Sequence, residues 1–345
     1  MIDQLLGAID QLQGAIFEAA FQPLLYQLGL IDWSEEVFEG TGFALFGAIE
    51  IVLAFLLFRP LEWWRPVERW SEKRAVRTDV VYTLVNRLGV VPLAIFLLLT
   101  PIGAVIEGYL RFEGYIPPTL EQLIPVLREW PFVTFLAYIA LIDLAEYWRH
   151  RLQHRLSWWW ALHSIHHDQR QMTFWADDRN HVLDDVLTAV WRGTFALLIG
   201  VAPAEYPLVM IGFRLVESLS HTNVRLGFGR IGTALLVGPQ YHRLHHAIEH
   251  ARAPFDRAMG CNFAVIFPIW DVIFGTWRRD QVFAETGVAE LAGAQVSCGF
   301  LRHQLEGFRR FGAELAHLVD RRRPGFAAAF GRKKPRDGAY DTGAA

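Results

Sequence analysis

The chain has 345 residues, 52% of them hydrophobic, and carries a formal net charge of −3. Its mean hydropathy is positive, which is unusual for a soluble domain and typical of a small polytopic membrane protein. The near-neutral charge gives no indication of a nucleic-acid partner. Two cysteines, Cys261 and Cys298, are too few for a disulfide framework or a thiolate metal site, and they fit a reducing compartment.

Residues 1–41 are predicted to form an amphipathic N-terminal segment. Apolar side chains recur at helical spacing over residues 1–30, between scattered Gln and Asp, which favours a helix lying in the membrane interface. The first residues lack the basic region of a secretory signal, so the segment is interpreted as mature sequence.

Three apolar segments, 42–58, 80–106 and 131–148, are predicted to span a membrane. The first has 17 residues, and at about 1.5 Å per residue it just crosses a hydrocarbon core of roughly 30 Å. The connection 59–77 carries six Lys and Arg, which places it on the cytoplasmic side by the positive-inside rule. The next connection, 107–130, is mainly acidic and is predicted to lie outside.

Residues 186–220 contain two shorter apolar runs, which predict a hairpin that dips into the bilayer and returns. A re-entrant pair is the alternative, because each run is marginal for spanning. Either arrangement puts His150, His181 and His221 on one membrane face. The chain is therefore predicted to be all-α and integral to a membrane, with about four transmembrane or re-entrant helices and a cytoplasmic, histidine-rich di-metal domain.

Ten of the 13 histidines lie between residues 150 and 246, and eight of them form three boxes. The first box is HxxxH at 150–154, and the other two are HxxHH at 163–167 and 242–246. Residues three and four apart share a helix face, so each box presents its imidazoles together. Neutral imidazole is a common ligand of iron, zinc and copper. Eight ligands exceed the needs of one tetrahedral zinc, and His181 and His221 raise the supply to ten, so two metals are predicted.

The boxes resemble those of the fatty acid hydroxylase/sterol desaturase superfamily, and within it the bacterial sterol desaturase family. Their order and the hairpin between the second and third box carry this resemblance, which covers roughly residues 132–279. Further matches are Arg179-Asn180-His181, His221-Thr222-Asn223, and Asn262 ahead of the Trp-Asp motif at 270–276.

The resemblance implies that two iron (Fe) ions are held by ten histidines, with zinc as an alternative in isolated protein. These ligands would be His150, His154, His163, His166, His167, His181, His221, His242, His245 and His246. No catalytic residue beyond them is implied. The domain organisation would be the N-terminal segment, a membrane di-iron domain at 42–280, and a partly disordered cytoplasmic tail at 281–345.

The function expected from the resemblance is a membrane-bound hydroxylase or desaturase that uses dioxygen (O2) to oxidise a C–H bond of a lipid. Sterol-like, hopanoid, carotenoid and acyl lipids remain open as substrates. An external electron donor, ferredoxin-like or cytochrome b5-like, would act from the cytoplasmic side of a bacterial inner membrane.

Two other functions are open alternatives. A membrane metal-binding or transport protein would place histidines inside the spans, whereas here they lie almost entirely outside the apolar segments. A zinc-dependent membrane hydrolase would need fewer ligands than this chain offers.

Several carboxylates are candidates for orienting the imidazoles through their second ring nitrogen. Asp143 and Glu146 precede the first box, with pairing to Arg149 or Arg151 as the alternative. Others flank the second box and His181, and the sequence does not distinguish among Asp168, Asp177, Asp178, Asp184 and Asp185. Asp271 is expected to fix a turn or cap a helix. Glu50, an ionisable residue within a predicted span, is either a functional residue or one that reaches the interface.

Overall fold

The chain folds into α-helices joined by short turns and loops in the computed structural model. The structure describes residues 2–199, 206–249, 260–278, 283–288 and 299–321. Within these residues the β-structure is limited to one isolated antiparallel bridge, between Ala247 and Thr286. The prediction of an all-α protein is confirmed.

Fourteen α-helices are present in the described residues. In chain order they are α1 (Ile2–Ile16), α2 (Gln22–Leu28), α3 (Ser34–Trp64), α4 (Lys73–Arg87), α5 (Val90–Phe112), α6 (Leu120–Leu123), α7 (Pro131–Arg155), α8 (Ser157–His167), α9 (Val182–Ile199), α10 (Tyr206–His221), α11 (Gly229–Leu235), α12 (Pro239–His245), α13 (Ile269–Ile273) and α14 (Phe300–Arg321).

Three helical stretches are long and apolar enough to cross a membrane, and they contain the three predicted spans. They are Ile31–Trp64, Lys73–Phe112 and Pro131–Arg155. Helices α9 and α10 correspond to the predicted hairpin, and neither is among these stretches, in agreement with the marginal length of their apolar runs. Residues 200–205, between these two helices in the sequence, lie outside the described residues. The total number of spans and their orientation remain predictions.

The second span contains a break that the sequence analysis did not predict. Helix α4 ends at Arg87 and α5 begins at Val90, with Gly89 between them at a φ of +86°. Glycine adopts this left-handed conformation without steric cost, so the chain can change direction inside an otherwise apolar stretch.

Helices α3 and α4 approach each other closely at Gly47. A Cβ atom built there would overlap the backbone oxygen of Arg87, so any side chain would force the helices apart. The Arg87 guanidinium is buried just beyond this contact, where it donates to Asp177 and Asp178 at 2.7 Å and to Ser218 at 2.8 Å. The close approach at Gly47 and the hydrogen bonds of Arg87 together link α3 and α4 to the loop before α9 and to α10.

The C-terminal segment contributes a helix to the folded body. Helix α14 packs along α8, where Arg310 Nη1 donates to Ser164 Oγ at 3.0 Å and the rings of Phe311 and Trp158 lie 6.2 Å apart. A partly disordered tail is predicted for 281–345, whereas residues 300–321 within it form this helix. Residues 322–345 of the tail lie outside the described residues, as does Cys298.

A Gly47→Ala variant tests the close approach of α3 and α4. Alanine normally stabilises a helix relative to glycine by up to about 1 kcal/mol. At Gly47 the clash with Arg87 reverses the sign, and we expect a loss of about 3 kcal/mol or more in unfolding free energy. The matched control is Gly103→Ala in α5, where a Cβ meets nothing within 4 Å. Equal thermal unfolding midpoints for the two variants in detergent would contradict this packing.

Candidate metal centre

Nine of the ten predicted ligands converge into two adjacent groups. The ligand atoms within each group lie within 4.8 Å of one another, and the side chains are buried, none being more than 7% exposed. The first group consists of His150, His154, His163, His167 and His245. The second group consists of His166, His221, His242 and His246.

The helical period explains how the boxes divide. His150 and His154 are one turn apart on α7 and enter the first group together. In α8 the outer histidines of the box, His163 and His167, share a face and join the first group, while His166 points to the second. The box of α12 does the reverse, since its outer pair joins the second group and His245 the first. Both HxxHH boxes therefore contribute to both groups.

Backbone carbonyls fix the orientation of three imidazoles. The Nδ1 atoms of His150, His245 and His221 lie 2.7–2.9 Å from the carbonyl oxygens of Phe263, Cys261 and Glu217. A carbonyl can only accept, so each Nδ1 carries the hydrogen. The Nε2 lone pair of each ring is consequently free to face the centre of its group, which is the arrangement a metal ligand needs.

The two carbonyls of the 261–263 loop are in turn held by Asp271. Its carboxylate accepts the backbone N–H groups of Phe263 and Ala264 at 2.8 Å, the Tyr241 hydroxyl at 2.6 Å and the Thr276 hydroxyl at 2.6 Å. Asp271 thus fixes a turn, as expected from the sequence, and through that turn it positions His150 and His245.

Asn262, which follows Cys261 in this loop, suits its position in both backbone conformation and side-chain hydrogen bonding. Its φ is +58°, in the left-handed region that Asn tolerates better than most residues. The side chain accepts from Arg278 N at 2.8 Å and donates to Tyr241 O at 3.1 Å. The loop is therefore fixed at both of its flanks beside the histidines.

Asp184 is the carboxylate that faces an imidazole of the second box. Its Oδ2 lies 3.4 Å from His163 Nδ1, and the carboxylate also accepts from Gln153 Nε2 at 2.9 Å and Trp159 Nε1 at 2.6 Å. A carboxylate held in this way orients the ring and raises its basicity as a ligand.

The donor set fits two metal ions. In the second group the Nε2 atoms of His166 and His242 lie 3.2 and 3.1 Å from that of His221, and His246 Nε2 lies 3.1 Å from His242 Nε2. His154 Nε2 and His163 Nε2 are buried without a hydrogen-bond partner. A buried nitrogen without a partner costs about 1–3 kcal/mol, and a cation bound among these lone pairs removes that cost.

Burial also keeps these imidazoles in the form that binds metal. Loss of hydration lowers the pKa of His166, His167, His242 and His246 well below the usual 6.5, and neighbouring histidines lower it further. For His163 burial lowers the pKa as well, while Asp184 partly opposes this. The rings are therefore neutral at pH 7, with a lone pair available.

A cavity of about 1110 Å³ opens onto both groups. Five of the histidines line it, and it continues between α3 and α5 along apolar side chains that include Phe43, Phe46, Ile95 and Leu99. The histidine groups thus face a space that is partly lined by the candidate membrane spans. The five histidines are His150, His163, His166, His221 and His242.

Residues 135–276, which contain all three boxes, match the family model described as fatty acid hydroxylase. This segment belongs to the fatty acid hydroxylase/sterol desaturase superfamily. The match begins in α7 and ends just after α13, and it includes every histidine of the two groups. The family segment therefore coincides with the centre described above.

Three curated relatives resemble the same part of the chain. An alkylglycerol monooxygenase from Homo sapiens is 29% identical over 44% of this chain and 32% of its own length. Its counterpart from Caenorhabditis elegans is 26% identical over 43% and 28%, and a delta(7)-sterol 5(6)-desaturase from Gibberella zeae is 25% identical over 48% and 51%. The matches thus cover about a third to a half of the relatives. No solved structure matches the chain significantly.

His181 is the one predicted ligand that lies in neither group. Its Nε2 faces the Gln304 carbonyl of α14 at 2.9 Å, and its Nδ1 accepts from Leu183 N at 3.0 Å. Its ring also packs against Phe308, with centroids 4.4 Å apart. Both nitrogens are engaged, so His181 anchors α14 at the start of α9. The sequence offered no signal for this role, because α14 was not predicted.

The two carboxylates before the first box, Asp143 and Glu146, have structural partners. Asp143 accepts the backbone N–H groups of Ile266 and Phe267 at 2.9 and 2.8 Å. Glu146 pairs with Arg149 at 2.7 Å and Arg192 at 2.9 Å, in line with the alternative considered for it. Neither contacts a histidine of the groups.

Glu50 pairs with Arg214 Nη1 at 2.9 Å, and both residues line the cavity. Glu50 is therefore buried inside the protein instead of reaching the membrane interface.

Single alanine variants test whether the histidines of the two groups bind metal and His181 does not. We expect His166→Ala to lose bound metal, because it removes one of only four imidazoles of the second group. His181→Ala is the matched comparison, and it should retain about two metals per chain because its nitrogens face α14. Elemental analysis of the purified variants decides the matter. Loss of metal from His181→Ala with α14 still helical would contradict the division.

An Asp271→Asn variant tests whether the turn positions the ligands. The amide replaces one acceptor oxygen with a donor, so two of the four donors bound to Asp271 lose their acceptor. We expect metal affinity to fall by about 10–100-fold while the maximal metal content at excess metal is unchanged. Asp32→Asn, at an exposed position, is the control and should bind like the unchanged protein. Equal affinities in a competitive chelator titration would show that Asp271 does not act on the centre.

Proposed function

We propose that the chain is a membrane-bound di-iron enzyme that uses dioxygen to hydroxylate or desaturate a lipid. The observation that carries the proposal is the meeting of two buried histidine groups with a cavity that continues between candidate membrane spans. The names of the relatives support the class of reaction, since they are a monooxygenase and a desaturase that act on lipids.

The ligand set fits two transition-metal ions, and the likeness to the fatty acid hydroxylase family favours iron. Nine neutral imidazoles supply no thiolate, and they form two groups of five and four at close range. Two irons bound there would supply the electron transfer that reduces dioxygen and oxidises an unactivated C–H bond. In hydroxylation one oxygen atom enters the C–H bond and the other leaves as water, and a donor provides two electrons and two protons. Desaturation uses the same inputs and releases two waters.

The chain's own residues bind and orient the reactants. The apolar wall from α3 and α5 holds the hydrocarbon part of the substrate, and the histidines at the other part of the cavity face the carbon to be oxidised. Burial of the nine rings excludes bulk water from the metals. Three of the four imidazoles of the second group line the cavity, against two of the five in the first group, so the second group presents more of its histidines to the substrate.

The setting of the reaction is also part of the proposal. The lipid enters from the bilayer along the spans, and an external ferredoxin-like or cytochrome b5-like donor supplies electrons from the cytoplasmic side of a bacterial inner membrane. Six Lys and Arg in the connection 59–77 support that orientation through the positive-inside rule.

Anaerobic purification followed by metal analysis and oxygen electrode measurements tests the function. We expect about two irons per chain and oxygen consumption that requires both a reductant and added lipid extract, with an oxidised lipid detected by mass spectrometry. The His166→Ala variant is the inactive control, and it should still insert into membranes.

Other outcomes distinguish the rival functions. Tightly bound zinc with lipid hydrolysis and no oxygen uptake would identify a hydrolase and exclude the proposal. Metal flux across proteoliposomes without lipid oxidation would identify a transporter.

A further inference from the structure

Helix α14 carries a row of exposed apolar side chains along its length. Leu301 and Leu305 are 75% and 71% exposed. Phe308, Leu315 and Val319 continue the row and are exposed as well. Their spacing keeps them within an arc of about 80° on a helix with 3.6 residues per turn. Single exposed apolar residues are common on protein surfaces, but a row about 27 Å long at 1.5 Å per residue indicates a surface that binds a partner.

The packing of α14 fixes the direction in which this apolar row points. A Cβ atom at Gly307 would overlap the side chains of His181 and Ile165, so the backbone of α14 touches the rest of the protein on that side. Arg310 donates to Ser164 of α8 one turn further along. The apolar row lies about 120° around the helix axis from Gly307 by the 3.6-residue period. A rotation of α14 that would bury the row is therefore blocked.

The helix begins beside the second candidate span. Gln304 Nε2 donates to the Tyr82 hydroxyl at 3.1 Å, and the rings of Phe300 and Tyr82 lie 4.8 Å apart. Tyr82 belongs to the helical stretch Lys73–Phe112, close to the start of its apolar part. The first residues of the apolar row are therefore next to the place where this stretch becomes apolar enough to enter a bilayer.

The same part of α14 contacts the start of the predicted hairpin. Gln304 Oε1 accepts the backbone N–H of Val182, the first residue of α9, at 2.8 Å. One turn later Phe308, a member of the apolar row, packs on the His181 ring. Helix α14 thus touches two elements at the points where each leaves the histidine groups for an apolar segment. The apolar row is continuous with the ends of these segments.

Basic residues accompany the apolar row. Arg302 is exposed on α14, as is Arg309, which also pairs with Glu306. In the sequence, residues 321–336 contain seven Lys and Arg and no Asp or Glu. Apolar side chains on one flank of a helix and basic ones beside them are typical of helices that lie in the membrane interface. Positive charge next to a membrane surface also favours anionic lipids.

We propose that α14 is an interfacial helix whose partner is the anionic surface of the bilayer. The apolar row lies among the acyl chains just below the head groups, and Arg302 and Arg309 lie at the head groups. The inference rests on the membrane location that is part of the proposed function, but it depends neither on the metal nor on turnover. Because α14 packs along α8, the bilayer supports the helix that contributes to both histidine groups.

Photolabelling of the full chain in nanodiscs tests this placement. The probe is a phosphatidylcholine with a diazirine on its acyl chain, and labelled residues are identified by mass spectrometry. We expect label on Leu301, Leu305 and Leu315, and at least about tenfold less on Ala313, which is exposed on the polar flank of α14. Val105 of α5, which is 73% exposed, is the internal positive control.

The internal control distinguishes failure of the inference from failure of the membrane location. Label on α5 with none on the apolar row would overturn the inference alone. Label on neither helix would overturn both the inference and the membrane location of the proposed function.

A Leu305→Glu variant tests whether the apolar row makes the contact. A carboxylate is disfavoured among acyl chains, so we expect the labelling of α14 relative to α5 to fall by about tenfold or more. Ala313→Glu is the matched control, since it adds the same charge to the polar flank of the same helix, and it should be labelled like the unchanged protein. Equal labelling of the two variants would contradict the placement. Should Leu305→Glu fail to fold, the labelling of the unchanged protein still decides.

Lipid charge and a truncation distinguish the bilayer from other occupants. Phosphatidylglycerol with the same diazirine chain should label α14 about threefold more than phosphatidylcholine at low salt, with a smaller preference at high salt. Deleting residues 322–345 should lower this preference, because six Lys and Arg are lost. Stronger labelling after the deletion would show that this segment covers the apolar row. Cross-links between the α14 helices of two chains would show that a second copy covers it, and either result would overturn the inference.

Discussion

The structure depends on holding nine neutral imidazoles with their lone pairs directed at two common points. This arrangement is unfavourable without a cation, because buried nitrogens at 3.1–3.2 Å from one another share too few hydrogens. The surrounding structure provides the opposing stabilisation. Carbonyls fix the ring nitrogens on the far side, Asp271 and Asn262 fix one of the loops that supplies them, and Asp184 holds His163.

The candidate membrane-spanning helices hold in place the elements that contribute the histidines. Helix α7 continues without a break from an apolar stretch into the first box, so the position of His150 and His154 is set by a span. Glu62, near the end of α3, accepts the backbone N–H groups of Phe174 and Asn223 at 3.0 and 3.2 Å. The end of that span is thereby linked to the His-Thr-Asn motif that follows α10.

The sequence was sufficient to predict the elements whose signal is local. Helical spacing within the boxes identified eight of the nine converging histidines, and the motif at 221–223 added the ninth, His221. The length of the apolar runs identified the three candidate spans. The partition of each HxxHH box between two groups was not predictable, because it depends on how α8 and α12 face each other. His181 has the same local appearance as the other histidines, and only its contact with α14 separates it from the two groups. Carbonyl acceptors such as Phe263 O carry no residue-type signal at all.

The contribution of each HxxHH box to both groups has a consequence for the order in which the two metal sites fill. Because α8 and α12 each contribute to both groups, a cation in one group restrains the two helices that present the other. The ordering cost for the second site is then largely met when the first is filled, which is positive cooperativity. The two sites should fill as a pair, and chains with a single ion should be rare at partial saturation.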